Sequence, residues 1–217
     1  TYDNIAGQFS GTRDYLWEDL KALQKYVRNN EKVLDLGCGN GRLYQIFSES
    51  QCEYMGLDNS RELVQTARKT FENVKFVVGG ITELPFEDNS FDSIWAMASY
   101  HHIPSEELRI KALLEMSRVL KPGGRIIMLN WNMYGEWVQN KVNTGAYTES
   151  APGDFIVPWR DGSKKNYGDR YYRGFTQEEI ETLCASVNLE IREQYYIKMG
   201  ERSDKENGDN LISIVQK

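Results

Sequence analysis

The stretch Lys32-Val33-Leu34-Asp35-Leu36-Gly37-Cys38-Gly39-Asn40-Gly41 decides how this chain is read. Its first five residues are the short, mostly apolar run of a buried strand, and they lead straight into three glycines at alternate positions. Glycine lets a backbone turn tightly and approach a ligand, and a helix expected over Arg42–Ser48 would offer unpaired N–H groups there. A glycine loop alone does not choose its ligand; two acids narrow the choice. Asp35 stands two residues before the first glycine, where a carboxylate would repel a pyrophosphate but suits an ammonium group. Asp58 ends the next strand, Tyr54–Leu57, where an acid can accept both hydrogen bonds of a ribose diol. The spacing G-x-G-x-G also departs from the dinucleotide fingerprint G-x-G-x-x-G.

Outward from this loop, strands and helices alternate. Leu16, Leu20, Leu23 and Val27 recur at helical spacing before the first strand. Ser60 is a candidate N-cap for a helix carrying Leu63, Val64 and Ala67. Strands follow at Val74–Val78 and Phe91–Ala98, the second nearly all apolar, as in a centre strand covered on both faces. A helix from about Ser105 to Leu120 ends at the turn Lys121-Pro122-Gly123-Gly124, and Arg125–Trp131 is a fifth strand. Thr176-x-x-Glu179 is a capping box opening a helix with Ile180, Leu183, Cys184 and Val187 on one face. Glu190–Ile197 and Leu211–Val215 have no helix between them and read as an antiparallel hairpin at the sheet edge. The expected fold is a single α/β domain over residues 1–217. Its core is a doubly wound, mostly parallel, seven-stranded Rossmann-like sheet with ligands at the strand carboxyl ends. Asn132–Phe175 breaks the rhythm. It is long, rich in aromatic residues and without clear periodicity, and reads as an inserted lid facing the substrate.

The 217 residues suffice for one well-buried core, and no apolar run reaches the roughly 18–20 residues that span a bilayer. No basic-then-apolar leader precedes Tyr2. Cys38, Cys52 and Cys184 have no C-x-x-C spacing, which points to a reduced compartment without disulfides, zinc or another metal site. A soluble cytoplasmic protein is therefore expected, with no membrane partner. A net charge of −6 means that any contact with nucleic acid must come from a local basic patch.

The ordered segments V-L-D-L-G-C-G-N-G, G-L-D-N-S, L-P-F with F-D-S-I after it, and R-V-L-K-P-G-G resemble the motifs of class I S-adenosylmethionine (SAM)-dependent methyltransferases. They cover residues 33–124. The resemblance implies SAM as cofactor, with Asp35 and Gly37 at its methionine part, Asp58 at the ribose and the Ile81 N–H at adenine. Gly39, Asn59, Gly80 and Ala98 would complete the wall, with Tyr2 and Arg13 in a cover formed by residues 1–30 that closes on the cofactor. One position departs from the family, which often carries an acid accepting from the adenine amino group; here Gly80 stands in its place.

A narrower resemblance lies outside these motifs. Tyr2-Asp3-x-Ile5-Ala6-x-x-Phe9-Ser10-x-Thr12-Arg13 with Trp17, His101-His102, Arg109-Ile110-Lys111-Ala112, Val157-Pro158-Trp159 and Arg170-Tyr171-Tyr172-Arg173-x-Phe175 are similar to the tRNA wobble-uridine methyltransferases. That family esterifies the carboxylate of 5-carboxymethyluridine, and its eukaryotic members work with a small zinc-binding activator protein. The resemblance thus implies tRNA as a partner and leaves room for an activator. A carboxylate is already ionised at neutral pH, so its methylation calls for alignment and a cation rather than a strong base. The residues expected to do this are Arg13, His101, Arg170, Tyr171 and Arg173. Around them Arg160, Lys164 and Lys165 interleave with Trp159, Tyr167 and Tyr172, the composition of a single-stranded RNA contact or of a solvated loop. Two other readings stay open: a methyltransferase of a small metabolite, with the insertion closing over an apolar pocket, and a SAM-binding subunit without catalysis.

Overall fold

The computed structural model describes residues 16–160 and 165–217. Tyr2, Arg13 and most of the expected cofactor cover lie outside these residues. The first described helix, α1 (Glu18–Ala22), passes into a 3-10 turn at Leu23–Tyr26, so the expected single helix is divided. There follow β1 (Lys32–Leu36), a 3-10 turn at Arg42–Ile46, β2 (Glu53–Asp58), α2 (Arg61–Thr70), β3 (Lys75–Val78) and β4 (Phe91–Met97). A 3-10 turn at Tyr100–His102 leads to α3 (Glu106–Val119) and β5 (Leu120–Trp131). The insertion holds α4 (Glu136–Asn143), β6 (Thr148–Ala151), β7 (Asp154–Arg160) and β8 (Asn166–Arg173). The chain ends with α5 (Gln177–Ala185), β9 (Glu190–Lys198), β10 (Glu201–Ser203) and β11 (Asn210–Gln216).

The main sheet has the order β10-β9-β11-β5-β4-β1-β2-β3. The five strands from β5 to β3 are parallel, while β11, β9 and β10 pair antiparallel, so the fold is the expected α/β class. The stretch expected to be a polar link after β9 supplies the three-residue β10, an eighth strand.

Strand alternation builds two cores. Leu34, Leu36, Ile94, Ala96, Ile126 and Met128 face α3 and α5, whereas Val33, Trp95, Met97, Ile127 and Leu129 face α1 and α2. Apolar residues on both phases of β4 are thus explained by helices on both faces. The caps are where the sequence puts them: Ser60 Oγ accepts from Leu63 N–H, and Thr176 and Glu179 form the reciprocal capping box.

The insertion differs from the irregular lid that was expected. Strands β6, β7 and β8 form a separate antiparallel sheet, with Phe155 opposite Tyr172 and Val157 opposite Arg170. A period of two is present at Phe155 and Val157, but Pro158 demotes a strand reading and a buried arginine occupies a core phase. Met133, Val138, Phe155, Val157 and Tyr172 make a small core of their own. Removing the wholly buried Phe155 ring costs about 3–5 kcal/mol in such a site. Phe155→Ala is therefore expected to speed amide hydrogen exchange in β6–β8 while β1, β4 and β5 keep their protection. Loss of protection spread equally over the main sheet would show that the two cores unfold as one.

Candidate active site

At the carboxyl ends of β1, β2 and β4 the chain encloses a cleft of about 330 Å³, within the usual range of ligand pockets. The glycine loop forms its floor. Gly37 and Gly41 have φ of +80°, and a Cβ on Gly37 would lie 2.3 Å from the Ser99 Cβ. The need for glycine at 37 thus comes from Ser99, whose Oγ donates to the Leu36 carbonyl at 2.6 Å. Ala98, at the turn leaving β4, holds φ at +54°, an unusual value for a residue with a side chain. The element after the loop is a 3-10 turn rather than the expected helix.

Both acids line the cleft. Asp58 accepts from Gly39 N–H at 2.9 Å and Ser60 N–H at 2.8 Å, one on each oxygen. Asp35 is buried in the cleft wall and accepts from the Tyr54 hydroxyl. Burial pushes its carboxyl up to about 7, against the pull of that hydrogen bond, and Asp58 and Arg42 add smaller opposing effects. Asn59, Ile81 and Ala98 also line the cleft; Gly80 does not, but its neighbour Gly79 does.

The same cleft reaches His101, Trp131, Arg170 and Tyr172. Arg170 is 6% exposed, and among the described residues no carboxylate pairs with it. Its guanidinium instead lies 4.8 Å from the Trp159 ring, 5.2 Å from Tyr172 and 6.0 Å from Trp131. Its Nε is sealed without a hydrogen-bond partner. His101 is wholly buried; its Nδ1 accepts from Trp131 N–H at 3.1 Å, which places the proton of the neutral ring on Nε2. Burial, then His102 and Arg170, hold its pKa well below the ordinary histidine value.

Tyr171 and Arg173 are not in this cleft, which corrects the expectation that they stand beside the acceptor. Alternation along β8 turns Arg170 and Tyr172 inward and their neighbours the other way. The Tyr171 hydroxyl donates to Asp154 at 2.6 Å and lies 3.3 Å from the Pro104 carbonyl, while Arg173 pairs with Asp154 and Glu179. His102 donates from Nδ1 to the Tyr171 carbonyl at 2.7 Å, fixing this strand to the cleft rim. Sequence reading did not find Trp131, Ser99 and Thr82 in the cleft wall, and it took Tyr172 as part of an RNA contact or a solvated loop. For Tyr172 the signal was available, since it is two residues from Arg170 on the same strand face.

A neutral buried His101 also has a consequence for stability. Between its depressed folded pKa and about 6.5, the unfolded chain binds the extra proton, so stability is lost as pH falls below about 6.5. His101→Asn keeps an acceptor for the Trp131 N–H but cannot titrate. Between pH 7 and 5 its urea midpoint should fall less than that of the parent, by up to about 1.4 kcal/mol per pH unit in stability. Equal slopes would show that the imidazole is not held neutral.

Comparisons with known proteins agree with this geometry. Residues 28–182 match the family model described as a methyltransferase domain. A tRNA (carboxymethyluridine(34)-5-O)-methyltransferase of Xenopus tropicalis is 28% identical over 90% of this chain, which spans only 38% of that protein's length. A putative methyltransferase of Encephalitozoon cuniculi is 31% identical over 88% of this chain and 85% of its own. A SAM-dependent methyltransferase structure from Methanosarcina mazei has the same fold, with TM-score 0.73 at 22% identity over 90% of this chain and 96% of its own. So does the complex between the Haloferax volcanii Trm112 methyltransferase activator and a putative methyltransferase, with TM-score 0.72 at 22% identity, covering 99% and 96%. Among the described residues no helix is long and apolar enough to cross a membrane, and no cluster of ligating side chains could hold a metal ion. The chain belongs to the methyltransferase-domain family, and it has the fold of SAM-dependent methyltransferase structures.

Proposed function

We propose that this chain esterifies a carboxylate, and that the carboxylate belongs to a 5-carboxymethyluridine at the wobble position of a tRNA. The observation that carries this reading is Arg170, a guanidinium in the wall of the cofactor cleft with aromatic rings around it and no carboxylate partner among the described residues. A buried charge without a partner is costly, so such a cleft favours an anionic ligand that the arginine fork can hold by two hydrogen bonds. The tRNA part rests on the similarity to the Xenopus enzyme and on Trp159, Arg160, Lys165 and Tyr167 of the β7–β8 hairpin. A small activator protein, as in the Haloferax complex, belongs to the same proposal.

SAM, when bound, supplies a methyl group on a sulfonium that a carboxylate oxygen can attack in line. Asp35 holds the ammonium end of the cofactor and Asp58 the ribose, with the Ile81 N–H at adenine. Arg170 aligns the acceptor acid, while Trp131 and Tyr172 keep water from its oxygens. No proton moves, because the acceptor is already ionised. The neutral His101 fits this economy: a second cation in the wall would weaken the nucleophile.

The test is transfer of label from SAM to total RNA from cells lacking the endogenous enzyme, read by nucleoside mass spectrometry. A methyl ester on the uridine is expected. Arg170→Gln should lower kcat/KM about 10²-fold, the scale of losing one charge-stabilising donor, with SAM affinity unchanged. Label that stays off tRNA, or reaches only a free small acid, overturns the RNA reading. A second test concerns adenine. Gly80 lies outside the left-handed region, and a Cβ added there meets no described atom within 4 Å. An aspartate fits, and Gly80→Asp should tighten SAM about two- to twelvefold in calorimetry, the ~0.5–1.5 kcal/mol of one hydrogen bond. Unchanged affinity would show that adenine does not sit beside position 80.

A further inference from the structure

The partner of Asp35 comes from the neighbouring strand. In the β1–β2 register Asp35 lies opposite Gly56, which has no side chain, and Val33 lies opposite Tyr54. Tyr54 is therefore the diagonal neighbour of Asp35 on the same sheet face, where its hydroxyl donates to Asp35 Oδ2. Among the described residues Asp35 Oδ1 has no hydrogen-bond partner, and Asp35 lines the cleft. The Tyr54 ring is held edge-on by Tyr44 at 5.2 Å and Phe76 at 6.3 Å, and tilted against Phe47 at 5.4 Å. It is a rigid donor, and nothing in the glycine motif marks it.

We infer that Tyr54 is a positioning residue for the cofactor: its hydroxyl orients the Asp35 carboxylate, with Oδ1 left for the ammonium group of SAM. This rests on the assignment of Asp35 to that ammonium under the proposed function, and not on the identity of the methyl acceptor.

The electrostatic surroundings of the pair support the role. Burial pushes the Asp35 carboxyl up to about 7, Asp58 pushes the same way, and Tyr54 and Arg42 pull it down. Cys38 of the glycine loop and Tyr44 face the pair as well; burial holds the Cys38 thiol protonated. Burial likewise raises the Tyr54 phenol well above its ordinary value, so it stays a donor wherever the enzyme works. Only the ionised carboxylate attracts an ammonium, so SAM affinity should rise with pH through about 7. Without the hydroxyl the carboxyl ionises at higher pH, and this rise moves to the alkaline side.

The experiment is SAM binding by calorimetry from pH 5.5 to 8 on the parent chain, Asp35→Asn, Tyr54→Phe and a chain with 3-fluorotyrosine at position 54. Asp35→Asn should flatten the rise. Tyr54→Phe should bind at least about tenfold more weakly at pH 6.5, as expected for loss of a hydrogen bond to a charged group, with the rise moved to higher pH. A loss of packing alone would lower affinity by one factor at every pH. The fluorinated ring, a stronger donor of nearly the same shape, should move the rise to lower pH, and it remains informative if Tyr54→Phe does not fold. A rise that Asp35→Asn abolishes but neither Tyr54 change moves overturns the inference alone. A rise that survives Asp35→Asn overturns the ammonium assignment with it. Neither result bears on the acceptor, which the RNA assay tests separately.

Discussion

The Leu57 carbonyl accepts hydrogen bonds from both Gly37 N–H, at 2.7 Å, and Cys38 N–H, at 3.0 Å, and the cleft depends on this reversal of the chain. It ties the end of β1 to the end of β2 and brings Asp35 and Asp58 to one rim. On the other side of β1, Ser99 leans into the space that Gly37 leaves empty and donates to the Leu36 carbonyl. Three strand ends are thereby joined within a few residues. A side chain at position 37 would collide with Ser99 and take up a strained backbone at the same time. The glycine is thus a packing requirement of the protein first, and only through that a feature of the ligand site.

From this junction the cleft runs between groups of opposite sign. Asp35 and Asp58 line its floor, and Arg170 enters from the separate lid sheet. Under the proposed function, this polarity would separate the cationic methyl donor from an anionic acceptor. Each charge has been made tolerable by different means. Asp58 rests on two backbone N–H groups, Asp35 on a phenol and Arg170 on the faces of aromatic rings.

The lid shows where sequence reading stops. Its hairpin is fixed to the main domain by residues read as catalytic: Tyr171 reaches Asp154 and the Pro104 carbonyl, and Arg173 joins Asp154 to the Glu179 of the α5 capping box. Arginine and tyrosine have the same chemistry in a fastening as in an active site. Only the phase of β8 separates Arg170 from Arg173, and that phase was hidden because the strand itself was read as irregular. Trp131 was missed for a related reason. It was read as the last residue of a strand, but its ring walls the cleft and its N–H sets the proton of His101.

Taken by itself, the sequence determined the α/β order, both helix caps and the two acids around the glycine loop, because these follow from periods and spacings within a few residues. Local hydrogen bonds and apolar alternation act at that range, so they can be read without the fold. The tertiary structure decided which residues share a wall. It placed Tyr54 on Asp35, Arg170 among the rings of Trp131, Trp159 and Tyr172, and Arg173 on Glu179. It also made Asp35 a carboxyl that ionises near pH 7, which no spacing reveals. Ionisation depends on how much water is excluded and on which groups replace it, and both are properties of the packed molecule.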